Sequence, residues 1–525
     1  MSSTIPTVAK TSRAEKSAAP WYATGFAVVA LIAGLRLLLH LVTANRYGVF
    51  RDEMYYLDCA QHLDWGYVDQ PPMIAIIAWL TRHLFGTSLL AIRLLPAVAG
   101  AATVALAGYI AHQFGGRRYA MGLSALATAL SGVFVINGHL LTMNVFEPLI
   151  WMGCAAIVIR IIQTGDQKLW LWFGLLAGIG LETKYSVAVY GLGIMVGVVL
   201  TPERKALAHK WIWLAGLLAF LIFLPNLLWN IHHQWPFVQL MHNIKMDGRD
   251  VVRSPLAFML EQALMVNPFA LPLWIAGLAW LFFGRDGRRY RLLGWAYVIE
   301  VGVWMALGGK DYYAAPAYPI LFAAGGVAVE QWIERTRREW LKPTFVVAFL
   351  ALSLPFLPII APVLPVEEYV RYQKAIHFSP PLSEHGHAAS PLPQYYSDEL
   401  GWESLVAEIA RAYHSLPPEV QAKTAIRVDN FGEAGAVDLF GPKYGLPQAI
   451  SGHQNYWLWG PRDYTGESML LIGEGRPEHL PQYFAHVEKV GHFEYPLALE
   501  ETDIYWGQEL KWNLKDVWPE IKRWR

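Results

Sequence analysis

Apolar stretches close to the roughly 20 residues that a bilayer-spanning helix needs follow one another from Trp21 to Pro362. The pattern predicts spans over 21–43, 88–113, 119–137, 144–163, 169–183, 185–201, 209–228, 268–284, 291–308, 314–333 and 342–362, about eleven in all. Two further stretches, 73–86 and 254–267, are amphipathic and suit helices lying in the membrane interface. Beyond Val366 the pattern changes to short alternating segments with Pro, Gly, His and charges, which reads as a globular domain over 366–525. Within it Leu405–Tyr413 fits a helical face, Ala425–Asp429 a buried strand, Gly432–Phe440 a helix, Ser468–Gly473 a strand and Pro477–Val487 an amphipathic helix, with edge strands between Glu494 and Tyr505. Such alternation predicts an α/β domain with a mostly parallel sheet.

Composition agrees with a membrane protein. The 525 residues are 54% hydrophobic and 16% charged, where a soluble domain carries roughly 25% charge. The 42 Lys+Arg balance the 42 Asp+Glu, so nothing favours a nucleic-acid partner. The two cysteines, Cys59 and Cys154, provide no disulfide framework. Taking alternate loops, Arg117 and Arg118, Arg204 and Lys205, Arg285 to Arg289, and Arg335 to Arg338 fall on one side with Lys10, Arg13 and Lys16 of the 1–20 tail. That bias predicts a cytoplasmic tail, a membrane domain over 21–365 with its first outer loop at 44–87, and an extracytoplasmic C-terminal domain.

The polar chemistry collects in the outer loops. The first carries Arg51-Asp52-Glu53 with Tyr55-Tyr56, then Asp64-Trp65-Gly66-Tyr67-Val68-Asp69-Gln70-Pro71-Pro72. Carboxylates beside the end of a span are functional candidates, because charge there is costly unless it is used. His139 and Asn144–Glu147 follow the third span, with Asn144 and Glu147 three apart on one helix face; Glu147 also suits a helix N-terminus. Glu182-Thr183-Lys184-Tyr185 breaks two apolar runs, and Lys310 leads into Tyr312-Tyr313 and Pro316. Lys245, Arg249 and Arg253 recur every fourth residue and would align on one helix face toward lipid headgroups or a lipid-linked phosphate. Tyr456-Trp457-Leu458-Trp459 could stack on sugar rings or pack against the membrane domain.

In this order along the chain, Arg51-Asp52-Glu53, Tyr55-Tyr56, Asp64-Trp65-Gly66-Tyr67, Pro71-Pro72, Thr142-Met143-Asn144, Leu181-Glu182-Thr183-Lys184, and Lys310 with Tyr313 and Pro316 resemble the polyprenyl-phosphate-dependent glycosyltransferases of the GT-C superfamily. The similarity is to the bacterial branch related to protein O-mannosyltransferases and to the aminoarabinose transferase acting on lipid A. It implies a mainly α, polytopic GT-C bundle in the bacterial inner membrane. The implied activity moves a sugar from a polyprenyl-phosphate donor to a lipid, glycan or protein acceptor on the outer face. Asp52, paired with Glu53, takes the general-base role by resemblance. Arg51, Tyr67, Gln70, Lys184, Lys310 and Tyr313 become candidates for the donor phosphate, and Asn144, Glu147 and His139 for acceptor or metal. Two departures stand out: Gln70 replaces a phosphate-binding lysine, and Asn144 replaces an aspartate. Asp52, Glu53 and Glu147 offer oxygen ligands of the kind Mg²⁺ or Mn²⁺ accept, so a divalent cation is the one cofactor the sequence leaves room for. The rival activity is a transporter or flippase of a lipid-linked saccharide, which would place its polar residues near the bilayer midplane.

Overall fold

Each apolar stretch becomes helical in the computed structural model, which describes residues 24–247, 253–378 and 391–524. The tail 1–20 and Arg249 lie outside the described residues. The helices up to residue 353 are α1 (Gly25–Thr43), α2 (Arg51–Cys59), α3 (Met73–Phe85), α4 (Leu89–Gln113), α5 (Arg118–Ala129), α6 (Gly132–Asn137), α7 (Met143–Thr164), α8 (Trp170–Leu181), α9 (Val187–Leu200), α10 (Lys210–His232), α11 (Pro236–Met246), α12 (Pro255–Val266), α13 (Leu271–Phe283), α14 (Arg291–Leu307), α15 (Tyr318–Thr336) and α16 (Leu341–Ser353). Among the described residues six helical segments are long and apolar enough to cross a bilayer, or up to eight if two bent pairs count as one span each. The expected eleven therefore overstates the full-length spans. The stretch 119–137 breaks at Leu130–Ser131 into α5 and α6, and the bends fall before Pro202 and Pro268, because a residue preceding proline is pushed out of helical backbone.

Within the bundle α8 packs on α10, α13 on α15, α9 on α14, and α1, α5 and α7 on α4. Gly277 and Gly325 bring α13 and α15 to backbone contact: a Cβ on Gly277 would strike the Leu321 carbonyl, and one on Gly325 the Leu273 carbonyl. At one end of the bundle the Gln163 amide donates to the Gln113 carbonyl (2.6 Å) and the Tyr290 hydroxyl (3.0 Å), and the Arg117 N–H to Glu330 (2.7 Å). These contacts adjoin the basic loops, at the other end of α4 from the acidic 44–87 loop.

The C-terminal sheet runs β1 (Thr424–Val428), β2 (Ser468–Ile472), β3 (Phe484–Phe493) and β4 (Thr502–Leu510) in the spatial order β1-β2-β4-β3. Only β1 and β2 are parallel; β2–β4 and β3–β4 are antiparallel. The sheet is thus mixed, not mostly parallel. The expected 477–487 helix is also corrected: two short turns, Pro477–His479 and Leu480–Tyr483, give way at Phe484 to β3. Pro477 and Pro481 limit the helix, and pairing with β4 overrides the apolar spacing.

Helices Trp402–Ser415 and Phe431–Phe440 pack on this sheet, and Phe431–Phe440 also packs on α2. A single core joins Val49, Met54, Leu57 and Ile74 of the 44–87 loop to Trp402, Ile409, Val428 and Leu470. The close fit depends on Gly435, where a Cβ would meet the Met54 Cβ at 2.8 Å. The first loop is accordingly a packed part of the C-terminal domain, with its own helix.

Candidate active site

α2 starts where the chain leaves extended backbone at Phe50, and Glu53 caps it by accepting the Phe50 N–H at 2.9 Å. Asp52 and Glu53 both lie in its first turn, where the helix dipole favours anions. Their side chains then part. Glu53 is fully buried and accepts from the Leu141 N–H (2.8 Å) and from the guanidinium of Arg93 (3.3 and 3.4 Å). Asp52 keeps 29% of its side-chain surface exposed and pairs with Arg51 at 3.6 Å, while Arg51 reaches Asp398 at 3.7 Å and lies over the Phe431 ring. Burial pushes the Asp52 carboxyl above the usual carboxylate range; Arg51 and Lys310 pull it down and Asp398 pushes it further up.

Asp69 approaches the same place from the far end of the loop. It accepts from the Tyr55 hydroxyl at 3.0 Å, and burial, with Asp52 nearby, pushes it up to about 7 against that hydrogen bond. Tyr56 is buried with Asp52, Asp69 and Tyr312 as its electrostatic neighbours.

A second group meets at the break between α8 and α9. The Lys184 ammonium donates to Asn144 Oδ1 (2.7 Å) and Glu147 Oε2 (3.1 Å), both in the first turns of α7, while Ser186 donates to the other oxygen of Glu147. Lys184 also lies over the rings of Tyr312 (5.1 Å) and Tyr313 (4.7 Å). Lys310 lies over the same Tyr312 ring at 5.8 Å. The Tyr312–Tyr313 pair therefore stands between the Asp52–Lys310 side and the Lys184–Asn144–Glu147 side.

The structure thus brings together Asp52, Arg51, Lys310, Tyr313, Lys184, Asn144 and Glu147. Four other candidates point elsewhere. Glu53 is saturated by Arg93 and backbone. His139, 2% exposed, holds its Nε2 2.7 Å from Arg93, and burial and that cation lower its affinity for a proton. The Tyr67 hydroxyl turns into its own loop, donating toward the Cys59 and His62 carbonyls at 3.1 Å. Gln70 is wholly buried, with its amide 3.8 Å from Cys59 Sγ, so it presents nothing to a phosphate. Among the described residues no group of three or more His, Cys, Asp and Glu is arranged to hold a metal ion. Glu53 and Glu147 are each tied to a cation of the chain, so Asp52, Glu53 and Glu147 do not form one ligand set.

The sequence singled out Tyr56, Asp69 and Tyr312 only as parts of polar runs, with no role of their own, and gave no sign of Glu399. Arg93, inside a predicted span, was the one legible signal, since an arginine there demands a partner. One other expectation changes, and the aromatic run takes one of its two readings. α11 ends at Met246, and Arg253 lies ahead of α12 and pairs with Glu261, so Lys245 and Arg253 do not share a helix face. The aromatic run packs against the first loop: Tyr456 donates to Asp58, Trp459 stacks on His62 at 4.2 Å, and Asn455 accepts the Val68 N–H at 2.9 Å.

Known proteins bear on this arrangement in two ways. Residues 69–229 match the family described as dolichyl-phosphate-mannose-protein mannosyltransferase. Over 255 residues the chain is 28% identical to the lipid A galacturonosyltransferase RgtD of Rhizobium johnstonii, which is 47% of this chain and 52% of that protein. The match thus spans about half the length of the curated relative. Among solved structures, ArnT from Cupriavidus metallidurans, in the apo state and bound to undecaprenyl phosphate, superposes with a TM-score of 0.58 at 14% identity, covering 91% of this chain and 97% of that one. The protein is a multi-pass membrane protein with a small C-terminal sheet. Its fold is the one that ArnT has.

Proposed function

We propose that the protein is a membrane glycosyltransferase that moves a sugar from a polyprenyl-phosphate donor to an acceptor hydroxyl or amine at the outer face of the bacterial inner membrane, with its N-terminus cytoplasmic and its C-terminal domain outside. The observation carrying this reading is the meeting of a part-exposed carboxylate, Asp52, with two lysines, Lys184 and Lys310, around the Tyr312–Tyr313 pair. The ArnT structure bound to undecaprenyl phosphate supports the donor class, and the relative named for lipid A supports a lipid acceptor.

Asp52 takes the acceptor proton as the acceptor heteroatom attacks the anomeric carbon, and the bond from that carbon to the phosphate oxygen breaks. The leaving group is a lipid phosphate, already anionic, so it needs cations rather than a strong acid. Lys184 and Lys310 supply them, and the Tyr312 and Tyr313 hydroxyls donate to phosphate oxygens in this reading. A single displacement inverts the anomeric centre. Arg51 holds Asp52 against Asp398. Asn144 and Glu147 aim Lys184, leaving its remaining proton for the donor. The acceptor is a lipid, a glycan or a protein. A transporter would concentrate its polar groups at the midplane, whereas this constellation sits where the first outer loop meets the starts of α7 and α9.

The test is transfer by purified protein from radiolabelled undecaprenyl-phosphate-linked galacturonate, aminoarabinose and mannose, with membrane extract as acceptor. We expect label to leave one of these donors with wild type, and Lys184→Ala to raise the donor KM. No release from any donor, with label instead crossing the bilayer of reconstituted vesicles, would establish transport in place of transfer.

A further inference from the structure

Arg93, in the second turn of α4, is 1% exposed and gathers partners from four separate segments. Its Nη1 donates to the carbonyls of Ala44 (3.0 Å) and Arg46 (3.3 Å) and lies 2.7 Å from His139 Nε2. Its Nη2 donates to the Gly48 carbonyl (2.7 Å), to Glu53 (3.3 Å) and to Glu399 of the C-terminal domain (2.9 Å). The segment that leads from α1 into α2 is therefore pinned, along residues 44–48, to one guanidinium. Removing any partner leaves a buried charge or dipole uncompensated.

Glu399 is the partner that crosses between the two halves of the chain. It follows Asp398, whose carbonyl accepts the Arg51 N–H at 3.1 Å and whose carboxylate faces the Arg51 side chain. The first turn of α2, and with it Asp52, is thus held from the membrane side by Arg93 and from the C-terminal side by the 398–399 pair. Glu399 does not reach Asp52 itself.

We propose that Glu399 is a positioning residue for the transfer reaction: through Arg93 it fixes the first turn of α2 and so the place of Asp52, which makes the C-terminal domain a required part of the active site. This rests on the assignment of Asp52 above. Small displacements of a catalytic group are enough to matter, since a misplacement of about 1 Å can cost on the order of a hundredfold in rate.

The test uses the full chain and the undecaprenyl-phosphate donor panel named above, with Glu399→Gln, which keeps shape and one acceptor oxygen but loses the charge. We expect kcat to fall about tenfold or more with the donor KM unchanged, and the loss to be non-additive with Glu53→Gln because both act through Arg93. Lys443→Ala, which breaks the exposed Lys443–Glu403 pair of the same domain at 2.6 Å, should leave kcat unchanged. Hydrogen exchange gives a readout independent of activity: amides of residues 51–59 should exchange faster in Glu399→Gln, with those of 402–415 unchanged. Unchanged kcat with unchanged exchange in α2 overturns the proposal. So does faster exchange across the whole C-terminal domain, which would make Glu399 a general stabiliser. If wild type transfers from no donor, the functional reading fails by itself, and exchange in α2 still decides whether Glu399 holds that helix.

Discussion

Asp52 and Glu53 are neighbours in one helical turn, yet they belong to opposite kinds of site. Around Glu53 every group is sealed: Arg93, Glu399 and His139 are each 2% exposed or less, and the carboxylate is consumed by one guanidinium and two backbone N–H groups. Around Asp52 the partners are looser, the surface is open, and two lysines lie behind a pair of tyrosine rings. A sealed, saturated ion cluster can fix a backbone but cannot exchange a proton with a substrate. A carboxylate with an open lone pair and a raised proton affinity can. The difference separates a residue that builds the site from one that works in it.

Four experiments would break or sharpen this comparison. Asp52→Asn removes only the basic lone pair and should lower transfer about 10²–10⁴-fold, the usual contribution of a general base, with the melting temperature unchanged. Arg93→Met leaves Glu53 and Glu399 buried without their cation and should destabilise the protein by roughly 3–5 kcal/mol, read as lost thermal stability or lost folded yield. Lys184→Ala removes a charge-assisted phosphate contact and should weaken donor use by roughly tenfold, visible in donor KM. Tyr67→Phe frees two loop carbonyls and should cost about 1 kcal/mol of stability while leaving transfer intact.

The pH dependence has a sign as well. Asp52 must be ionised to accept a proton, and burial raises its proton affinity. Activity should therefore fall as pH drops through a value above the ordinary carboxylate range. Lys310 holds that affinity down, so Lys310→Met should move the acid limb of kcat/KM to higher pH. A limb that stays in place would separate Lys310 from Asp52.

Much of this was legible in the sequence. Helix after helix follows the apolar runs, and Asp52, Lys184, Lys310 and Asn144–Glu147 stood out because charge beside an apolar span is expensive. What was not legible is pairing over distance. Glu53 looks like a twin of Asp52 until Arg93, 40 residues on, and Glu399, 306 beyond Arg93, are folded against it. Tyr67 and Gln70 read as ligand contacts because a loop's inward and outward faces have no period to follow. The strand at 484–493 was hidden for a related reason: its partner β4 lies beyond a turn, and local spacing alone favoured a helix.

The most direct test of the central claim compares Asp52→Asn with Glu53→Gln, side by side, for sugar transfer and thermal stability in the full chain. The account predicts that Asp52→Asn melts like wild type and transfers almost nothing, whereas Glu53→Gln melts earlier and, acting through the shared Arg93, loses only about tenfold in transfer per folded molecule. A stable, inactive Glu53→Gln beside an active Asp52→Asn would contradict it and exchange the two roles.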